Sequence, residues 1–323
     1  MKIFQRVYLK KIGKIIVATF SGFIDDNGLK LSASLAFYTV FSLAPLLILC
    51  VSLADLIFRK DVAANELYPE IAKYVGSQAA IQIQDILKNL QLSGKTGFAV
   101  IVGVVTLLVG ASSIFVEIQD SLNIIWRVKA KPKRGWVKLL QNRFLSFSLI
   151  ISLSFLLLVT LAINFLLDLL SKKIENFLPA ITGVLIKCVN LGLTLVVISV
   201  LFAIIFMFLP DVKIKWRDVR SGAIFTALLF MLGQYVIGLY LQYTAQGSAY
   251  GAAGSIIVIL LWIYYTAAIL YIGAEFTQVY AEAIGSRIEP AEYAVYVKQT
   301  EVEAVVKSLP PQNPQIKGEL KDD

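Results

Sequence analysis

The sequence predicts an all-α, polytopic membrane protein with six transmembrane helices and a short extracytoplasmic helical loop. Six apolar runs carry this prediction, because each reaches the roughly 20 residues that a helix needs to cross a bilayer. The composition agrees: 58% of the 323 residues are hydrophobic, 16% are charged, and the mean hydropathy is +0.74. Soluble domains carry about 25% charged residues. The runs are 31–58, 97–116, 144–170, 180–209, 221–243 and 252–280.

Three further segments surround or interrupt the predicted spans. Residues 1–30 form a cytoplasmic amphipathic segment with Ile12, Ile15 and Ile16 available to lipid, and residues 31–288 form the six-helix domain. Within that domain, residues 59–96 have apolar positions at helical spacing, which predicts two short extracytoplasmic helices. These helices either rest on the bundle or cover an outward-facing opening. Residues 289–323 are polar, which predicts a disordered cytoplasmic tail.

The distribution of basic residues predicts the orientation. Of the 30 lysines and arginines, 22 lie before span one, after span six, or in the loops that follow spans two and four; seven lie in the other three loops. Cytoplasmic loops are enriched in lysine and arginine, so both termini are expected in the cytoplasm. The formal charge of +8 is explained by contact with anionic lipid, and it predicts no nucleic-acid partner.

Polar residues inside the spans are the candidates for a substrate path or a gate, since such residues usually face a bundle interior or a cavity. In span one, Tyr38, Ser42 and Pro45 lie on one polar stripe. Pro45 lacks an amide hydrogen, which predicts a kink near mid-membrane. The kink serves either packing or a hinge.

Spans two and six carry comparable stripes. In span two, small residues at steps of three and four lead to Glu117, and such residues favour close helix packing. In span six the stripe contains Tyr271 and ends in Glu275. We expect the two carboxylates at a similar depth near the cytoplasm. The second helix continues past Glu117, and its polar face there carries Asp120, Asn123 and Arg127.

Spans three and four hold the most unusual polar residues. Asn164 and Asp168 lie near the outer end of span three, and Lys187 and Asn190 lie near the outer start of span four. A rise of about 1.5 Å per residue places Lys187 level with Asn164 and within about one turn of Asp168. A lone ammonium is costly there, so a partner is expected. The pair is either a structural ion pair or a site for an anionic headgroup.

Several classes of site are absent from the sequence. The chain has no histidine, the commonest general base and metal ligand, and its two cysteines lie inside spans one and four. It also lacks the glycine-rich phosphate loop of an ATP-driven pump. We therefore expect no catalytic residue, no cofactor and no metal. No internal repeat is evident, although six spans would permit an inverted three-plus-three arrangement.

Four stretches of the sequence resemble the BrkB/YihY family of bacterial inner-membrane proteins, some of which carry the old label ribonuclease BN. They are LSASLAFYTVFSLAPLLIL (31–49), GASSIFVEIQDSLNIIWRV (110–128), LPDVKIKWRDVRSGA (209–223) and SAYGAAGSIIVILLWIYYTAAILYIGAEFT (248–277). The resemblance implies a six-helix inner-membrane protein with cytoplasmic termini and a role in export or in lipid-linked envelope processes. We reject a nuclease activity, because the chain lacks clustered metal ligands and its loops are too short for a nuclease domain.

Two functions remain open. In the first, the bundle moves a lipid or another amphipathic solute across or out of the membrane, along a path lined by span one, the turn 247–254 and the buried polar residues. In the second, the protein is a non-transporting envelope scaffold or assembly factor that binds envelope proteins through its basic inner face and outer loop. Membrane lipids are expected partners in both. The sequence predicts neither the substrate, the energy source nor the oligomeric state.

Overall fold

A computed structural model describes the backbone of residues 2–42, 113–131, 179–244 and 251–298, and the side chains of residues 11–42, 113–131, 188–236 and 260–298. These parts contain helices and four short strands. In chain order the elements are α1 (Lys2–Asp25), α2 (28–42), α3 (113–125), β1 (Val128–Ala130), α4 (Pro179–Phe208), β2 (Val212–Lys213), α5 (Trp216–Thr244), α6 (Gly251–Ala283), β3 (Glu289–Pro290) and β4 (Ala294–Tyr296).

Three of the described helices are long and apolar enough to cross a membrane. The qualifying stretches are Cys188–Phe208 of α4, Trp216–Val236 of α5 and Leu260–Ala283 of α6. They coincide with predicted spans four, five and six. Spans one and two are described only at residues 31–42 and 113–116, which are helical. Span three and the predicted loop 59–96 lie outside the described residues.

Sequence features explain where α4 and α5 begin and end. Helix α4 begins at Pro179, because proline has no amide to leave unbonded and its fixed φ suits the first helical position. It ends ahead of Pro210, since the residue before a proline avoids the helical conformation. At the start of α5, the Lys215 carbonyl accepts a hydrogen bond from the Asp218 amide at 2.9 Å. The Asp218 carboxylate accepts from the Ser286 amide at 2.9 Å, which joins the start of α5 to the segment after α6.

The helices share one apolar core. Helix α4 packs against α5, α5 packs against α6, and α1 packs against α6. Residues of α2 and α3 complete this core, whose fully buried side chains include Leu122, Phe206, Val219 and Tyr271. The core extends to the strands, because Val212 of β2 and Ile288 next to β3 pack against it.

Helix α1 packs on protein along one face. Ile15, which the sequence assigns to the lipid side, is buried together with Phe23. Val17 and Ile24 are the most exposed large apolar residues of the described part of this helix. The prediction for Ile15 was wrong because α1 packs against α6 and buries this side chain, whereas Ile16 is 37% exposed.

Residues 289–298 are ordered, whereas their polar composition predicts disorder. Strand β4 pairs antiparallel with β1, with Val295 opposite Lys129, and β3 pairs antiparallel with β2, with Glu289 opposite Lys213. Backbone hydrogen bonds to loops that are distant in sequence hold this segment. Such bonds cannot be predicted from composition, which indicates only how much apolar area a segment can bury. Residues 299–323 lie outside the described residues.

Candidate functional site

Three chain segments meet at the strand-bearing end of the bundle: the α1–α2 turn, the α3–β1 turn and the C-terminal third of α6. They bring together Asp26, Arg127 and Glu275, which we call the acid–arginine cluster. Arg127 Nη2 lies 2.5 Å from Asp26 Oδ1 in an ion pair. The Asp26 side chain is 3% exposed and Glu275 is 2% exposed. Both residues adjoin the same turn of α1, because the Gly22 carbonyl accepts from the Asp26 amide at 2.8 Å and a Cβ atom on Gly22 would lie 2.7 Å from Glu275 Oε2.

Both turns of the cluster use an unusual backbone conformation. Asn27 and Arg127 each have a φ of 55°, in the left-handed region that few residues other than glycine adopt. Asparagine tolerates this region well. Arginine does not share that preference, and Arg127 follows α3 where glycine is usual. Its amide donates to the Ile124 carbonyl at 3.1 Å, and this bond and the ion pair hold the residue in place.

Two close contacts fix the neighbours of Glu275. A Cβ atom on Gly22 of α1 would lie 2.7 Å from Glu275 Oε2, so the absence of a side chain there lets α1 reach the carboxyl group. The Trp126 indole nitrogen donates to the Ala274 carbonyl at 3.0 Å. This bond fastens the end of α3 to α6 one residue before Glu275. Helices α1 and α3 are therefore both held against the same point of α6.

The cluster carries more acid than base. Burial raises the pKa of Asp26 above its ordinary value, and the positive charge of Arg127 opposes that rise. The carboxylate of Asp25, at the exposed end of α1, adds to the rise. Glu275 Oε1 has no hydrogen-bond donor within the described part of the chain. Within the described residues, one guanidinium faces two carboxyl groups and cannot neutralise both when they are ionised.

A second buried carboxylate, Asp211, joins α3 to the turn between α4 and α5. Gln119 Nε2 donates to Asp211 Oδ1 at 3.1 Å, and Asn123 Nδ2 donates to Asp211 Oδ2 at 2.9 Å. Asn123 Oδ1 accepts from the Asp211 amide at 2.9 Å, so one side-chain amide binds Asp211 twice. We call these three residues the amide clamp. Its polar atoms are buried and bonded, which is the condition for such groups to stabilise a core.

A polar cavity of about 530 Å³ lies beside the amide clamp and Arg127. Its charged lining residues are Asp120, Arg127, Lys129 and Asp211. Burial raises the pKa of Asp120, and the negative charges of Glu117 and Asp211 add to that rise. The cavity presents both signs of charge, so its chemistry suits a small polar or zwitterionic group.

A separate apolar cavity of about 360 Å³ lies among α2, α3, α4, α5 and α6. Its walls include Ile198, Phe230 and Trp262. The only hydroxyls among its described lining residues belong to Thr39 and Thr266, which donate to carbonyls of their own helices at 2.7 and 2.9 Å. The volume falls in the range of about 300–1,000 Å³ that is typical of ligand pockets.

Helices α5 and α6 cross through a repeated five-residue sequence, GAIFT at 222–226 and GAEFT at 273–277. A Cβ atom on Gly222 would clash with the Thr277 side chain, and one on Gly273 would clash with Thr226. Each threonine donates to the carbonyl of the glycine in its own helix, at 2.7 Å in both cases. The contact is therefore reciprocal, and both glycines are required for the two backbones to approach.

The same crossing explains where Glu275 lies. The Phe225 and Phe276 rings stack with centroids 3.9 Å apart and planes 13° apart, which continues the reciprocal arrangement. Glu275 holds the third position of GAEFT, and the equivalent residue of GAIFT is Ile224, which is exposed. The two motifs therefore differ at the position that carries the buried carboxyl group in α6. This short repeat corrects the expectation that the chain has no internal repeat, and its reciprocity is visible only in three dimensions.

The candidate residues of spans two and six have different surroundings. Glu275 lies in the acid–arginine cluster, and Tyr271 is fully buried in the core one turn away on α6. Glu117 is partly buried on α3. Asp120, Asn123 and Arg127, which the sequence places on one face of this region, all line the polar cavity. Within the described residues, no group of three histidine, cysteine, aspartate or glutamate side chains is arranged to hold a metal ion.

The candidates of spans one and four do not join the cluster. Tyr38 is 41% exposed, and the Ser42 hydroxyl donates to the Tyr38 carbonyl at 2.8 Å within α2. Asn190 is exposed on α4. Pro45, Asn164, Asp168 and the side chain of Lys187 lie outside the described residues, so the predicted kink and the predicted ion pair stay predictions.

The partners of Glu275 are not apparent from the sequence. Asp26 belongs there to the N-terminal segment, outside the predicted spans. The signal that marks it is the turn sequence Asn27–Gly28, which follows two adjacent aspartates. Asp211 has a comparable signal, because Pro210 marks a turn directly before it. Neither signal indicates which helix the carboxylate meets.

Comparisons with known proteins identify related sequences. A family model described as Virulence factor BrkB matches residues 19–295. A UPF0761 membrane protein of Pseudomonas aeruginosa is 28% identical over 256 residues, which cover 78% of this chain and 59% of that protein. Those of Azotobacter vinelandii and Stenotrophomonas maltophilia are 26% and 25% identical, over 79% and 84% of this chain and 60% and 61% of theirs. The chain thus spans about six-tenths of these relatives. No solved structure matches it.

Proposed function

This chain belongs to the BrkB family of membrane proteins, and on this premise we propose that it moves a lipid or another amphipathic solute across or out of the membrane. In this proposal it is a multi-pass protein of the bacterial inner membrane with six spans, and it catalyses no reaction. Because the matched relatives are longer, the proposal concerns the part of them that this chain covers.

The apolar cavity is the observation that supports this proposal. Its hydroxyl hydrogens are already bonded within their own helices, so it offers little to a strongly polar solute, which would lose hydrogen bonds on entry. An acyl or isoprenoid chain has no such bonds to lose. The opposite, exposed face of α4 is also apolar, with Val196 59% exposed. A hydrocarbon chain that moves from lipid into the cavity would therefore exchange one apolar environment for another.

The polar cavity complements the apolar one. A lipid carries a headgroup as well as chains, and the headgroup needs charged or hydrogen-bonding partners when it leaves water. Asp120, Arg127 and Lys129 offer both signs of charge at the strand-bearing end of the bundle. This pairing of an apolar with a polar cavity favours an amphipathic solute over a wholly apolar one.

We place the strand-bearing end in the cytoplasm. Exposed basic residues gather there, namely Lys129, Lys213, Lys215, Arg217 and Arg220. Reporter fusions test this orientation: those after Lys88 are expected to report the outer compartment and those after Arg134 the cytoplasm. The reverse pattern would overturn the orientation and the assignment of both termini to the cytoplasm.

Filling the apolar cavity is expected to slow solute movement. Ile198→Trp places a larger side chain on the cavity wall, and we expect at least about a tenfold lower rate of fluorescent-lipid movement in proteoliposomes, a barrier increase of about 1.4 kcal/mol. The matched control is Val196→Trp, which adds the same side chain on the exposed face of the same helix. This control is expected to retain the wild-type rate.

The same assay separates transport from the scaffold alternative. Folded, inserted wild-type protein that moves no more lipid than empty vesicles would contradict the proposed function and favour a non-transporting scaffold. Equal rates in Ile198→Trp and the wild type would instead show that the solute does not use this cavity. Folding of each variant is checked by its thermal unfolding midpoint before the rates are compared.

A further inference from the structure

The acid–arginine cluster contains two buried carboxyl groups beside one guanidinium, at a point where three helices meet. We propose that Asp26 and Glu275 form a proton-binding site, in which the two carboxyl groups hold one proton between them next to Arg127. This site stands on its own geometry. Only its coupling to solute movement, argued below, rests on the proposed function.

The shortage of hydrogen-bond donors around the Asp26 and Glu275 carboxyl groups favours a bound proton. Glu275 is 2% exposed, and its Oε1 atom finds no donor in the described part of the chain. The Asp26 carboxyl group beside it is also a pure acceptor when ionised. Two ionised carboxylates in one buried place repel each other. With one proton between them, one group donates and the other accepts, so the pair titrates as a unit.

The charges around the pair lead to the same conclusion. Among the described residues, the charged groups that act on it are Arg127 from the α3–β1 turn and Asp25 from the end of α1. Arg127 supplies one positive charge, so a singly protonated pair makes the cluster neutral, and a doubly ionised pair leaves a buried negative charge. Asp25 makes that second state less favourable still. Burial also raises the pKa of Asp26, although the charge of Arg127 opposes this rise.

A proton fits this site better than a metal cation. Arg127 already occupies the side of Asp26 from which a cation would be bound, at ion-pair distance. A sodium or potassium ion would have to lie beside the guanidinium, and like charges that close together in a buried place are unfavourable. A proton adds no volume and needs no coordination sphere.

Proton release would act directly on the helix contacts. The Glu275 carboxyl group faces the backbone of α1 at Gly22, and Arg127 lies next to the Trp126 bond that holds α3 on α6. Loss of the proton places two negative charges across the α1–α6 contact, which weakens it. If the bundle moves a solute as proposed, this pair is therefore in a position to link that movement to proton binding.

Infrared spectroscopy of the full-length protein in lipid nanodiscs tests the site. At neutral pH we expect a carbonyl band of a protonated carboxylic acid that is lost in one step as the pH rises. Glu275→Gln and Asp26→Asn are each expected to remove it. Glu282→Gln changes an exposed carboxylate of the same helix and is expected to retain it. A wild-type protein without this band at neutral pH would overturn the proposal.

Two further measurements do not depend on the folding of those variants. Carboxyl-¹³C labelling of aspartate alone, or of glutamate alone, is expected to shift the band of the wild-type protein in both cases, because both residues share the proton. Arg127→Gln is expected to move the loss of the band to higher pH, since a positive neighbour favours the ionised form. A band that neither label shifts, or that sodium abolishes at constant pH when potassium does not, would overturn the proton site.

Lipid movement is measured separately in the same preparations. If the pair couples the two processes, Glu275→Gln is expected to make the rate of lipid movement independent of pH while Glu282→Gln keeps the wild-type pH dependence. A wild-type band without any lipid movement would contradict the proposed function and leave the proton site standing. Lipid movement without the carboxylic acid band would contradict the proton site and leave the proposed function standing.

Discussion

Gly273→Leu is expected to destabilise the protein by about 3 kcal/mol, at the upper end of the cost of overpacking a core. Even a Cβ atom at this position would clash with Thr226 of α5. Thr226 cannot easily turn away, because its hydroxyl donates to the Gly222 carbonyl at 2.7 Å. The gain in helix propensity on replacing glycine is only about 1 kcal/mol, so the clash dominates. The measurement is the thermal unfolding midpoint in detergent.

Gly192→Leu is the matched control. It makes the same substitution in α4, where nothing lies within 4 Å of a Cβ atom, so the midpoint is expected to stay equal or rise slightly. A second comparison tests the contact itself: Thr226→Gly should recover part of the loss caused by Gly273→Ala, because it vacates the space that the methyl group needs. Equal losses in Gly192→Leu and Gly273→Leu, or no recovery in the double variant, would contradict the reciprocal crossing of α5 and α6.

The last three spans could be predicted closely because a span is a local property of the chain. The apolar runs 180–209, 221–243 and 252–280 correspond to helices Pro179–Phe208, Trp216–Thr244 and Gly251–Ala283, whose ends differ from them by at most five residues. Length and apolarity alone determine whether a helix can cross a bilayer. The short strands of residues 289–298 could not be predicted, because their stability comes from partners elsewhere in the chain.

One of the three residues of the acid–arginine cluster, Glu275, could be predicted from the sequence as a candidate site residue. Glu275 is a candidate because placing a carboxyl group inside an apolar span costs free energy, so such a residue usually has a functional or structural partner. Its partner Asp26 lies near the other end of the chain, in a turn that has an ordinary composition. Only the packing of α1 on α6, made possible at Gly22, brings the two together. Arg127 was placed on the correct polar face, but its ion pair depends on the left-handed turn after α3.

Asn123→Asp is expected to destabilise the protein by about 3 kcal/mol, the scale for leaving a buried charge without its partner. The new carboxylate oxygen replaces the Asn123 nitrogen that donates to Asp211 at 2.9 Å, so two negative charges face each other in the core. The folded state then holds a proton more tightly than the unfolded chain does. Stability should therefore fall as the pH rises above the ordinary aspartate value of about 3.9. Unfolding midpoints measured from acid to neutral pH check this.

Exchanging the two groups is expected to restore most of that stability. In Asn123→Asp combined with Asp211→Asn, the side-chain nitrogen at position 211 donates to the new carboxylate, and its oxygen still accepts from Gln119. The amide of residue 211 also keeps its acceptor at position 123. Asp211→Asn alone should lose about 1 kcal/mol, because its nitrogen then meets another donor in place of an acceptor. A double variant no more stable than Asn123→Asp would show that α3 and the α4–α5 turn are not joined through these hydrogen bonds.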